Sequence, residues 1–163
     1  MSFNYHDDRF FDTDKNGVLK IPFVMWLGLV IQTRHWILLL LTIATFAVGA
    51  STPAVITNHE VGIWMATAQL PSVLVLTAAV FRVPTGTSWI RLVWANGYKL
   101  MITTALLNLL FVTWWLMTTP TWNRWPELYF ASTALLDLVI SYWASSQALP
   151  RQVFSEFPID SSV

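Results

Sequence analysis

The sequence predicts an all-α, polytopic integral membrane protein, with four transmembrane helices in two hairpins and both termini in the cytoplasm. Three observations carry this expectation. The chain of 163 residues is 55% hydrophobic and 11% charged, where an ordinary soluble domain carries about 25% charged residues. The charges lie between long uncharged stretches, the pattern of a chain that crosses a bilayer several times. Finally, Lys and Arg alternate between connecting segments. Arg9, Lys15 and Lys20 precede the first apolar stretch, Arg82 and Arg91 lie between the second and third, and Arg151 follows the fourth; the first loop has none and the third holds Arg124. Basic residues concentrate on the cytoplasmic side, which orients the chain. With a net charge of zero there is no basic field to attract nucleic acid. The absence of cysteine excludes disulfides and thiolate metal sites.

Residues 1–20 read as a polar cytoplasmic tail. The opening "MSFNYHDDRFFDTDKNG" has four Asp and no apolar run, so it does not resemble a signal peptide, and the first apolar segment is expected to act as an uncleaved anchor. Within the tail, D-x-D-x-N-G matches the start of an EF-hand loop. Asp12, Asp14, Asn16 and Gly17 fill positions one, three, five and six. Position nine, however, is Lys20, position eleven is Pro22, and position twelve is Phe23 where a bidentate Glu is required. A turn is the better reading: Asp and Asn bond their own backbone and Gly supplies positive φ. Lys20 then serves as a headgroup anchor.

The first helix is expected over 21–50, with Arg34 and His35 as its interruptions. At that length it would measure roughly 45 Å against a hydrocarbon core of about 30 Å, so it must tilt, bend or break. The second, 62–81, has spanning length and contains Gln69 and Pro71; Pro71 removes a backbone donor and predicts a kink. The third, 89–118, is again over-long and contains Lys99 and Asn108. The fourth, 128–147, is centred on Asp137. The parallel between over-long helices one and three raises a repeat of two hairpins, although residue identities do not match. Residues 148–163 read as a second cytoplasmic tail.

Polar groups inside a bilayer are the first functional candidates, here Arg34, His35, Gln69, Asn108 and Asp137. On the fourth helix Thr133, Ala134, Asp137, Ser141, Ala144 and Ser145 share a face by i, i+3, i+4 spacing. This stripe of small and polar residues suits close helix packing and turns Asp137 into the bundle. Two arrangements satisfy its carboxylate. Either Arg34 pairs with it at mid-depth, or Arg34-His35-Trp36 forms an interfacial anchor in which Arg34 snorkels to phosphate while Asp137 bonds Asn108 or Gln69 as a neutral acid. The centre serves either helix packing or transport, and packing is favoured because a lone acid and a lone base in four helices more often serve it. The loop "TWNRWPELYF" fits an outer aromatic belt, with Trp122 and Trp125 as anchors.

No Gly-rich phosphate loop, HExxH, G-x-S-x-G or S-x-x-K occurs. His6, His35 and His59 are scattered, so no metal or cofactor is expected. The stretch "FDTDKNGVLKIPFVMWLGLVIQTRHWILLL", through Asp14, Gly17, Leu19, Lys20, Pro22, Arg34 and Trp36, together with the ending "RQVFSEFP", resembles the YfeZ-like proteins of the bacterial inner membrane, a domain of unknown function. The resemblance implies an inner-membrane location and a four-helix or similar topology, assigns no activity, and favours the turn over the calcium loop.

The expected function is a small non-enzymatic membrane protein, an accessory or scaffold subunit, with the bilayer and another membrane protein or a second copy as partners. The alternative is a small oligomeric transporter or channel working through Arg34, Asn108 and Asp137. A lipid-modifying enzyme ranks below both, for want of motifs.

Overall fold

The computed structural model describes residues 18–47, 59–84, 86–118 and 124–158. Asp12, Asp14, Asn16 and Gly17 of the N-terminal turn, and Trp122 of the aromatic loop, lie outside them. The described residues are helical with no strand. In chain order the helices are α1 (Phe23–Gln32), α2 (Arg34–Ala47), α3 (His59–Ala68), α4 (Leu70–Val80), α5 (Ser88–Ala95), α6 (Gly97–Thr118), α7 (Arg124–Ser146) and α8 (Ala148–Ser155).

Two helices are long and apolar enough to cross a membrane, α6 and the Leu128–Ser146 part of α7. They form an antiparallel hairpin. Met101 of α6 meets Ser141, while Asn108, two turns further on, meets Asp137. The pair α1 and α2 passes the same test jointly but is bent by 65° at Thr33, giving two or three candidate spans. The exterior is apolar. Leu40, Leu110, Leu135 and Val139 are each more than 60% exposed, a surface that lipid covers at no cost and water does not.

Each of the first three expected helices is broken, and each break has a local cause. At Thr33 the hydroxyl donates to the carbonyls of Leu29 and Val30, competing with the backbone ladder. The second breaks at Gln69, two residues before Pro71, so the imide nitrogen falls in the first turn of α4, where its missing N–H is least missed. The third breaks at Asn96, whose Nδ2 donates back to the Leu92 carbonyl. The last begins at Arg124, four residues before the expected start at 128.

The C-terminal segment also departs from expectation. In place of a polar tail from 148 onward, residues 148–155 form α8, with Pro150, Val153 and Phe154 buried. Phe154 packs on Trp94 at 4.9 Å between ring centroids and on Gly97. Both ends of the described chain meet here. Glu156 accepts the Leu19 N–H through Oε2 at 2.9 Å, and Arg82 donates to the carbonyls of Leu19 and Glu156. The Trp94 indole N–H points to the carbonyls of Val153 and Glu156.

Two apolar clusters result. One, at the end where Leu19 and Glu156 meet, includes Met25, Leu29, Val75, Trp94, Met101, Ala144 and Phe154. The other gathers Met65, Val112 and Ala134. Along α6 the buried positions pass from Met101 through Thr104 and Asn108 to Val112, so a polar layer separates the two clusters.

Candidate functional site

The polar layer is built where the broken helices cross the α6/α7 hairpin. Arg34, the first residue of α2, reaches across to α7: its Nη1 donates to Asp137 Oδ1 at 2.7 Å and its Nη2 to Oδ2 at 3.1 Å. This is a two-pronged contact that matches the planes of guanidinium and carboxylate. Asn108 Nδ2 donates to Asp137 Oδ2 at 2.7 Å. Asp137 is fully buried, while the Arg34 side chain keeps 16% exposure. Of the two arrangements open from sequence, the geometry is that of the pair, and Asn108 joins it. A third Arg34 hydrogen bond, Nη1 to the Ile31 carbonyl at 3.0 Å, satisfies an acceptor that the break at Thr33 releases. In an apolar medium such groups must find protein partners.

Gln69 does the same from the other broken pair. Its Oε1 accepts the backbone N–H of His35 at 3.0 Å, one of the donors left free at the start of α2. Its Nε2 lies 2.7 Å from His35 Nδ1, which makes Nδ1 the acceptor and puts the ring N–H on Nε2. Trp36, expected as an interfacial anchor, donates its indole N–H to the Ala66 carbonyl at 2.7 Å and ties α2 to α3. Lys20 is exposed at the start of α1. Trp125 falls in the first turn of α7.

Sequence reasoning overlooked the residue with the widest reach. Gln32, fully buried, donates through Nε2 to Ser141 Oγ at 2.8 Å and lies 3.4 Å from the Asp137 carbonyl. Its Oε1 accepts from Ser72 Oγ at 2.9 Å. Ser72 lies near the start of α4, and its backbone N–H donates to Thr104 Oγ1 at 3.0 Å. Ser141 hands its own proton to the Met101 carbonyl. Gln32 thereby links α1, α4, α6 and α7. Its signal was present, a polar amide inside "GLVIQTRHW", but the adjacent Arg34 and His35 drew the weight. Replacing Gln32 with leucine is expected to remove one hydrogen bond each from the buried hydroxyls of Ser72 and Ser141, which keep Thr104 Oγ1 and the Met101 carbonyl, and to cost about 0.5–1.5 kcal/mol per bond lost. Thermal unfolding of the solubilised protein checks this, and an unchanged midpoint would show that the amide is dispensable.

Of the expected packing stripe, Thr133, Ala134, Asp137, Ser141 and Ala144 are buried against the bundle. Ser145 sits at the edge, bonded to the Tyr142 carbonyl of its own helix. Leu136, Val139 and Tyr142 are exposed. Small residues permit close approach elsewhere too: a Cβ on Gly28 would come within 3.0 Å of Ile140.

Chemically, the centre is a hydrogen-bonded ion pair. Asp137 gives both oxygens to Arg34 and one also to Asn108. Among the described residues, Arg34 Nε and Asn108 Oδ1 are the buried polar atoms of this centre without a hydrogen-bond partner. No group of three or more His, Asp or Glu placed to hold a metal occurs among the described residues.

Compared with known proteins, the chain matches no curated protein and no solved structure. A family model does match, over residues 9–156, and that range takes in the whole polar centre and the junction of Leu19, Arg82 and Glu156. The chain belongs to the family DUF2919, described as a protein of unknown function.

Proposed function

We propose that this is a small non-enzymatic protein of the bacterial inner membrane that serves as an accessory or scaffold subunit of a larger membrane complex. The observation that carries this is the use made of the intramembrane polar groups. Arg34, Asp137, Asn108, Gln32, Ser72 and Ser141 bond chiefly to one another and to backbone freed by the helix breaks. A transport site would keep such groups open to a substrate; a scaffold uses them to fix which helices meet. The inner-membrane location rests on the resemblance to the YfeZ-like proteins. Four crossings follow if α1–α2 and α3–α4 each count as one broken span. Both termini then lie in the cytoplasm, which is supported by the meeting of Leu19, Arg82 and Glu156 at one end and by the basic residues gathered there.

Mild extraction from native membranes, followed by mass spectrometry of what stays bound, tests the proposal. A stoichiometric second protein is the expected result. A lone chain or a homo-oligomer would overturn the accessory role and shift the weight to a small oligomeric transporter. One observation favours that second reading: two broken helices meet at their breaks, His35 on Gln69, as in transporters with discontinuous helices. Flux in liposomes, with Asp137→Asn as control, would then be measured.

A further inference from the structure

We propose that α5, α8 and the first turn of α6 form a binding surface for the phosphate headgroups of anionic phospholipids, with Arg91, Lys99 and Arg151 as its cations. The three come from different helices but from one packed unit. Phe154 of α8 lies on Gly97 at the start of α6 and on Trp94 of α5. Arg91 sits 5.4 Å from the ring centroid of Phe157, just beyond α8, and Lys99 lies two residues after Gly97. Arg151 occupies the exposed side of α8, whose opposite side buries Pro150, Val153 and Phe154.

Among the described residues the charge here is mostly basic. Arg91, Lys99 and Arg151 are all exposed, and among the described residues none is paired with a carboxylate. The hydrogen bonds of Arg91 and Lys99 go to neutral oxygens, the Pro84 carbonyl and Asn96 Oδ1, and their ring contacts, Phe157 and Tyr98, are uncharged. Glu156, an acid described at this end, is already held by the Leu19 N–H and lies 3.4 Å from Gln152 Nε2. Apolar side chains are interleaved with the cations: Leu92 is 66% exposed, Trp89 47% and Leu149 43%. Exposed Trp and Leu beside Arg on a short helix, next to the end of a membrane-spanning helix, is the composition of a segment lying at headgroup level. Cations there attract an anionic leaflet. The pattern commits to a lipid over a soluble anion because the apolar groups need acyl chains as much as the cations need phosphate. The proposal is independent of whether the protein has a partner subunit.

The test uses the full-length protein in a neutral detergent, with thermal unfolding followed as lipid is added. Phosphatidylglycerol is expected to raise the midpoint saturably, while phosphatidylcholine and inorganic phosphate leave it unchanged. In the triple variant Arg91→Gln, Lys99→Gln, Arg151→Gln the apparent affinity for phosphatidylglycerol should fall roughly 100-fold, at roughly fivefold per charge. Equal responses to the two lipids would overturn the proposal, as would an equal response to inorganic phosphate or an undiminished response in the triple variant. Should the triple variant fail to fold, Arg151→Gln alone decides: a loss of about fivefold supports the surface, and unchanged affinity sinks it.

Discussion

Replacing Asp137 with alanine is expected to lower the unfolding free energy of the solubilised protein by about 3–5 kcal/mol. The carboxylate is fully buried and holds Arg34 by two bonds and Asn108 by one. Without it, the guanidinium keeps the Ile31 carbonyl but no counter-charge, and the Asn108 Nδ2 loses its acceptor. Most of the cost is that uncompensated charge, not the worth of the pair. It follows that Arg34→Met, Asp137→Leu together should recover the part of this cost that is due to the guanidinium, leaving about 1–3 kcal/mol for the buried Asn108 amide that still lacks its acceptor. Asp137→Asn should lie between the two, keeping an oxygen for Arg34 but losing the charge. Reversible denaturation of the three variants in one detergent measures the order. If Asp137→Ala costs less than the double variant, Arg34 has swung out through its 16% exposed side to the headgroups, and the pair is not what holds α2 to α7.

Asp137 was legible in the sequence for a simple reason. One carboxylate in an apolar stretch has few ways to be satisfied, and the small residues at helical spacing around it showed which face turns inward. Asn108 followed by the same logic. The breaks at Thr33, Gln69 and Asn96 were not legible, since Thr, Gln and Asn are all tolerated in a continuous helix. What breaks each helix is a partner distant in sequence or a side chain turned onto its own backbone: Gln69 on the His35 N–H, the Thr33 hydroxyl on Leu29. Hence four spans were expected, the over-long first and third open to tilting, bending or breaking and the second kinked at Pro71, and two or three candidates are present among the described residues. Excess length gave warning for the first and third without showing where the break falls, and Pro71 gave it for the second, acting through the break beside it. The helix α8 is a different kind of omission. Its buried Pro150, Val153 and Phe154 stand at i, i+3 and i+4, an apolar stripe readable without any structure, but too short to stand out from a polar tail.

Replacing Gly97 with alanine is expected to destabilise the protein by about 1–3 kcal/mol, and removing the Phe154 ring should abolish that penalty. A Cβ at Gly97 would overlap Cδ1 and Cε1 of Phe154. The ring has little room to retreat, because it is 1% exposed and wedged against Trp94, itself fully buried with its indole N–H pointing to the Val153 and Glu156 carbonyls. Alanine therefore forces either α6 or α8 to shift. Phe154→Ala alone should cost about 3–5 kcal/mol through lost burial and the cavity left behind. In that background Gly97→Ala gains a side chain where space has opened, so the double variant should be no less stable than Phe154→Ala. The coupling between the two sites would then equal the whole Gly97→Ala effect. Proteolysis supplies a second readout. If α8 is held by this contact, Gly97→Ala should expose the chain near Arg151 to trypsin at a dose the parent resists, and adding Phe154→Ala should not restore resistance, because the ring that docks α8 is gone. Strict additivity in stability, with unchanged cleavage, would mean that α8 is held by Arg82 and Glu156 alone and that the ring merely fills space.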